Sequence, residues 1–109
     1  MRIVDVPFSI TDWATLAPTQ SPGQTGFVTQ RALEDGNVRV RLVEYSPGYL
    51  ADHWCTRGHV ILVLEGELIT ELQDGRIFRL QAGFTYRVAD GAEAHRSRTD
   101  VGAKLFIVD

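Results

Sequence analysis

VILVLEGELITELQDGRIFRL, at residues 60–80, contains the strand and turn signals that best indicate the fold class. Residues 60–64 are apolar on both alternating faces, which indicates a strand at the centre of a packed sheet. Glu65-Gly66-Glu67 predicts a tight reversal into a second strand at residues 68–72. Asp74-Gly75 between two apolar runs is a strong hairpin signal, so a third strand follows at once. The stretch therefore predicts β-structure built from short strands and turns.

Short strands and glycine-marked turns continue on both sides of this stretch. In residues 38–45, Arg39, Arg41, Val43 and Tyr45 share one face, as in a half-polar antiparallel strand. Short strands at such regular spacing, with no long helical period, predict an all-β sandwich or jelly-roll barrel. We expect about eight strands, at residues 25–33, 38–45, 60–64, 68–72, 77–80, 84–88, 94–98 and 104–108.

Residues 1–23 differ in pattern and are interpreted as an N-terminal arm on a barrel of residues 24–109, all within one domain. Thr11 or Asp12 is predicted to cap a short helical turn. The prolines and the glycine that follow end any such turn. Phe8 and Trp13 are expected to anchor the arm to the barrel.

Composition narrows the classes of partner. The chain has 109 residues, of which 44% are hydrophobic and 23% charged, so one core can form without disulfides. The net charge is −3 and no run of Lys or Arg occurs, which disfavours nucleic acid. No apolar run has the length of a membrane helix, and the start does not resemble a secretory signal. The single cysteine cannot form an internal disulfide, so we expect a cytoplasmic protein.

DHWCTRGH, residues 52–59, concentrates the residues with metal-binding side chains. In an extended chain the odd-numbered His53, Cys55 and His59 share one face. Imidazoles and thiolates are ligands for transition metals. His95 follows after two hairpins, and a barrel can bring its strand beside an earlier one. The sequence thus predicts one divalent transition metal ion (Zn, Fe, Ni or Mn) held by His53, Cys55, His59 and His95.

These residues resemble the first motif of the cupin superfamily, which is Gly, His-x-His, three or four residues, Glu, six residues and Gly. Gly48 precedes His53, and Gly66 ends the motif at the expected spacing. Two ligand positions differ, because Cys55 stands where cupins have the second His and His59 stands where they have Glu. The resemblance covers about residues 40–109 and implies a jelly-roll barrel with a metal site inside it.

The second cupin motif is also similar, with two departures. Gly83 and Gly91 take its glycine positions, Ala89 replaces its Pro, and His95 comes one residue late. A bulge in the turn would repair that register. Residues 52–55 hold the four residue types of the small DHCW-motif cupin fold proteins, in the order D-H-W-C. This group resemblance supplies a fold and a site but no substrate.

Several residues near the predicted site have alternative interpretations. Cys55 is a metal ligand, a small buried apolar residue, or a redox-reactive thiol with a pKa lowered by the metal or by Arg57. Asp52 either orients an imidazole or caps a turn. Trp54 has an even number and so faces away from the odd-numbered candidate ligands. This favours a role in packing or in a dimer contact over a role in binding substrate. The candidates for holding an anionic substrate inside the barrel are Arg41, Tyr49, Arg57, Tyr86 and Arg96.

Two functions follow from this site. The first is a metal-dependent enzyme of the isomerase, lyase or dioxygenase type, acting on a small polar molecule. The alternative is a non-catalytic module that binds or senses a small molecule through the metal. A closed shell of four protein ligands favours the second function, whereas catalysis needs an open position. We also expect a homodimer, because small β-sandwiches have exposed edges to cover.

Overall fold

The computed structural model describes residues 1–109, and nearly all of its regular structure is β-strand. All strand pairs are antiparallel. The predicted all-β class and the expected number of strands are confirmed. The strands are β1 (Thr19–Pro22), β2 (Phe27–Asp35), β3 (Val38–Tyr45), β4 (His59–Leu72), β5 (Ile77–Gln81), β6 (Thr85–Val88), β7 (His95–Arg98) and β8 (Ala103–Val108).

The long strand β4 corrects one sequence-based expectation. The residues at 60–64 and 68–72 are two halves of one strand, and Glu65-Gly66-Glu67 does not separate two strands. Gly66 has φ 76°, and a Cβ atom there would lie 2.0 Å from the carbonyl oxygen of Gly102. This close approach requires glycine. A β-bulge beside it lets β4 pass from one sheet into the other.

The first half of β4 completes a sheet of order β1-β2-β3-β8-β4-β6, and its second half lies between β5 and β7. The odd-numbered residues of β3 and β8 face the interior, because Val43, Tyr45, Leu105 and Ile107 are buried. The buried hydrophobic core consists of Val43, Tyr45, Tyr49, Ala51, Ile61, Val63, Leu68, Leu80, Ala103, Leu105 and Ile107.

The N-terminal arm is held by backbone pairing more than by its aromatic side chains. The predicted turn is confirmed as a 3₁₀ helix, Trp13–Thr15, with Asp12 accepting a hydrogen bond from the Ala14 amide at 3.0 Å. Strand β1 was not expected, and it pairs with β2 at the sheet edge. Trp13 is partly buried, but the expectation for Phe8 is wrong, because its side chain is 94% exposed. The start of the arm is fixed instead by Asn37, whose side chain bonds the backbone of residues 2 and 4.

The structure contains no helix with the length and hydrophobicity that crossing a membrane requires.

Candidate metal centre

Cys55 and His95 are brought opposite each other by an isolated antiparallel bridge. The Cys55 amide donates to the His95 carbonyl at 2.7 Å, and the His95 amide donates to the Cys55 carbonyl at 3.0 Å. Directly opposed residues in an antiparallel pair project their side chains to the same side. The loop before β4 and the first residue of β7 therefore present a thiol and an imidazole together.

His59 joins this pair from the other sheet. It is the first residue of β4, and its Nε2 atom lies 2.9 Å from Nε2 of His95 and 3.1 Å from the hydroxyl of Tyr86. The potential ligand atoms of Cys55, His59 and His95 all lie within 4.8 Å of one another. We refer to these three residues as the Cys55–His59–His95 cluster. Three of the four predicted ligands thus meet in the interior, from segments up to 40 residues apart in the chain.

His95 has one ring nitrogen committed to the backbone. Its Nδ1 atom lies 3.0 Å from the carbonyl oxygen of Glu93. A carbonyl oxygen only accepts hydrogen bonds, so the neutral ring carries its proton on Nδ1. The lone pair of Nε2 then points at the cluster. A backbone acceptor on the distal nitrogen is the usual way in which a metal-ligating imidazole is oriented.

His59 is kept neutral by its surroundings. Burial lowers its pKa to about 4, with further lowering by His95 and Arg41, while Asp109 opposes the shift. The ring is therefore neutral at pH 7, which is the form that binds metals. Its side chain is 7% exposed, and its Nδ1 atom is buried without a hydrogen-bond partner. An orphaned nitrogen of this kind requires a physical explanation.

The cluster fits a transition metal ion by its chemistry and its dimensions. Two neutral imidazoles and a thiol are a donor set that suits Zn and other borderline metals. Two nitrogen ligands about 2.1 Å from one ion are roughly 3.0 Å apart at an octahedral right angle and roughly 3.4 Å apart at the tetrahedral angle of zinc sites. The observed separation of 2.9 Å between the two Nε2 atoms is close to the octahedral value and about half an ångström below the tetrahedral one.

His53 is the predicted ligand that the structure does not bring to the cluster. The chain bends at residues 52 and 53, and strand β4 begins only at His59, so the odd-numbered residues do not share one continuous face. The imidazole of His53 is 73% exposed, with Nδ1 at 2.7 Å from the Asp52 carboxylate. Metal ligation by His53 stays a prediction, and the cluster itself contains three potential ligands.

The five side chains suggested for an anionic substrate have different surroundings. Tyr86 alone lies against the cluster. Tyr49 stacks on Tyr45 at 4.3 Å and belongs to the core. Arg96 bonds Glu71 and lies 4.5 Å above the ring of Trp54, on the face of β7 opposite His95. Trp54 thus packs against a cation.

Arg41 and Arg57, the other two suggested side chains, both lie near Asp109. Sequence reasoning missed this residue. Its carboxylate is 1% exposed, accepts two hydrogen bonds from Arg39 at 2.8 and 2.9 Å, and accepts one from Arg41 at 3.0 Å. The available signal was parity, because Leu105, Ile107 and Asp109 continue the same alternation toward the interior.

A cavity of about 410 Å³ adjoins the cluster on the side of His95 and Tyr86. Most of its wall area is apolar, and the polar and charged residues Thr70, Arg76, Arg79, Arg87 and Glu93 also line it. The size is within the range of small-molecule pockets. The apolar lining residues are Leu72, Phe78, Leu80, Phe84 and Val88. We call this space the β5–β6 cavity, because β5 and β6 contribute most of its walls.

The fold is that of the cupin superfamily, as structural comparison shows. The chain is similar to a predicted oxalate decarboxylase from Thermotoga maritima, with a TM-score of 0.78 and 15% identity over 92% of this chain and 96% of that one. It is also similar to the polyketide cyclase RemF from Streptomyces resistomycificus, with a TM-score of 0.75 and 24% identity over 94% and 78%. It is similar as well to an RmlC-like cupin from Shewanella frigidimarina, with a TM-score of 0.73 and 18% identity over 96% of this chain and 92% of that one.

No protein-family model matches the chain, and no curated protein matches it in sequence. The expected cupin architecture is confirmed by the structural likeness, while the likeness to the DHCW-motif group stays a prediction. At these identities the structural neighbours share a fold with the chain, and function must be argued from its own site.

Proposed function

We propose that Cys55, His59 and His95 hold one divalent transition metal ion and that this ion serves a reaction on a small molecule. The observation that carries the proposal is the convergence of a thiol and two imidazoles within 4.8 Å. A thiolate among the ligands favours Zn, Fe or Ni over Mn, which prefers oxygen ligands. It also restores the negative charge that is lost where His59 stands in place of a carboxylate.

The number of ligands supports an enzyme over a non-catalytic binding or sensing module. Three protein ligands leave a coordination position free, whereas structural zinc sites are typically closed by four. The imidazole of His53 is exposed and lies outside the Cys55–His59–His95 cluster. When bound, the ion would act as a Lewis acid toward an oxygen atom of the substrate or would bind O2, as isomerases, lyases and dioxygenases require.

The chain itself supplies groups that would bind and orient the substrate. Burial raises the pKa of Tyr86, so its hydroxyl stays protonated and can donate a hydrogen bond beside the cluster. Thr70 is a second polar residue in the lining of the β5–β6 cavity. Because most of the wall area is apolar while Arg76, Arg79 and Arg87 also line the cavity, we propose a small polar substrate that has an apolar body and an oxygen-bearing end.

Metal analysis tests the proposal. Protein purified without added metal, or titrated with Co²⁺, is expected to bind one ion per chain. Cys55→Ser, His59→Ala and His95→Ala should each lose most of this binding, and Cys55→Ser should also lose the thiolate-to-cobalt charge-transfer band. His53→Ala is the matched control and should bind like wild type. Wild-type protein that neither carries nor takes up metal would overturn the proposal.

A further inference from the structure

The buried carboxylate of Asp109, next to His59, has three arginines around its single negative charge. Asp109 faces Arg39 and Arg41 at hydrogen-bond distance and Arg57 at 3.9 Å. Its backbone is also fixed, because the amide and carbonyl of Asp109 pair with those of Arg39 at 2.9 and 2.6 Å. A carboxylate this firmly held is a fixed acceptor inside the barrel.

The same carboxylate is the nearest charged acceptor for the unpartnered nitrogen of His59. Oδ2 of Asp109 lies 3.7 Å from Nδ1 of His59, which is beyond a hydrogen bond by about half an ångström. Because Nε2 of His59 faces His95 and Tyr86, a neutral ring that offers its Nε2 lone pair must carry its proton on Nδ1. That proton is buried, and a buried donor without an acceptor is costly.

We propose that Asp109 is a positioning residue for the metal centre: its carboxylate accepts the Nδ1 proton of His59 and holds Nε2 of that ring toward the cluster. This inference rests on the proposed function, since it assigns an outer partner to one of the proposed ligands. Carboxylate–histidine–metal arrangements of this kind fix the tautomer and raise the basicity of the ligating nitrogen.

The arginines keep this carboxylate in the charged form that the role requires. Asp109 accepts hydrogen bonds from Arg39 and Arg41, and Arg57 lies 3.9 Å away, so three cations surround and stabilise the charged carboxylate. The arrangement also explains why basic residues occupy inward-facing positions of β3, where a core side chain would otherwise lie.

The test compares two variants by metal affinity. Asp109→Asn should fold and bind Co²⁺ roughly 10- to 100-fold more weakly than wild type, because removal of an outer carboxylate partner typically has that effect. Glu71→Gln is the matched control, since Glu71 also binds two arginines, Arg96 and Arg98, on the outer face of β7. It should retain wild-type affinity. Equal affinity of folded Asp109→Asn and wild type would overturn the proposal.

A measurement on Zn²⁺-bound wild type keeps the proposal testable if Asp109→Asn does not fold. Long-range ¹H–¹⁵N correlation of the histidine side chains should show His59 bound through Nε2 with its proton on Nδ1, and a ring bound through Nδ1 would overturn the proposal. The two failures are distinguishable: wild type that binds no metal contradicts the metal site itself, whereas a ring bound through Nδ1 contradicts the role of Asp109.

Discussion

The buried imidazole of His59 makes a specific prediction about acid stability. Its pKa is about 4 in the folded chain, against about 6.5 for a histidine in an unfolded chain. The folded state therefore resists protonation, and the unfolded state binds the extra proton. Stability that depends on the neutral ring is fully present above about pH 6.5 and is lost as the pH falls toward 4.

The size of the effect follows from the two pKa values. At about pH 5 an unfolded His59 is almost fully protonated and a folded one almost fully neutral, so unfolding takes up about 0.9 proton at this residue. In His59→Gln that uptake disappears. A plot of the unfolding free energy against pH should therefore be less steep for the variant between about pH 4.5 and 6. The difference in slope corresponds to the uptake of about one proton and does not depend on the absolute stability of the variant.

Urea denaturation of chelator-treated protein at several pH values measures this slope. His53→Gln is the matched control, because its ring is 73% exposed and should leave the slope unchanged. Titrating groups remote from His59 contribute equally to the compared proteins and cancel in the difference. A slope for His59→Gln that equals the wild-type slope would show that His59 is not a neutral, buried imidazole and would count against His59 as a metal ligand.

Three further predictions concern the fold and its assembly. Leu105→Ala should lower the free energy of unfolding by about 2–5 kcal/mol, because Leu105 is fully buried, whereas Val101→Ala at a 68% exposed position should change it by less than about 0.5 kcal/mol; urea denaturation of both decides this. Gly66→Ala should lower the free energy of unfolding by more than about 2 kcal/mol, because its Cβ atom would meet the Gly102 carbonyl. Gly75→Ala, where a Cβ atom has free space, should lower it by about 1 kcal/mol, and comparable values for the two variants would count against the close approach at Gly66. Light scattering after size exclusion should give twice the chain mass of 12.2 kDa, as the expected homodimer requires, and a mass near 12 kDa would exclude it.

Much of the strand pattern was predictable because alternation and turn chemistry are local. Residues 38–45 were assigned without error, and Asp74-Gly75 correctly marked the hairpin between β4 and β5. The turn at Gly66 was wrong for a physical reason. A glycine with positive φ serves a reversal or a bulge equally well, and only the close approach of Gly102, the residue before β8, distinguishes them.

The kinds of side chain at the candidate site were predictable from the sequence, but the complete set of residues that meet there was not. The parity argument assumed an extended chain from His53 to His59, and the bend at residues 52 and 53 breaks that assumption. Cys55 reaches the interior through its bridge to His95 instead. Asp109 was not predicted as a site residue because its contacts are with arginines about 70 positions earlier, and no local sequence pattern indicates such a contact.

X-ray absorption at the edge of the bound metal directly identifies the atoms that coordinate the ion. The spectrum of the wild-type protein should show one sulfur ligand at about 2.3 Å and two imidazole nitrogens at about 2.0–2.1 Å, with the remaining scattering from water oxygen. Cys55→Ser should lose the sulfur contribution. A wild-type spectrum without sulfur, or with a complete shell of protein ligands and no water, would contradict an open metal centre formed by Cys55, His59 and His95.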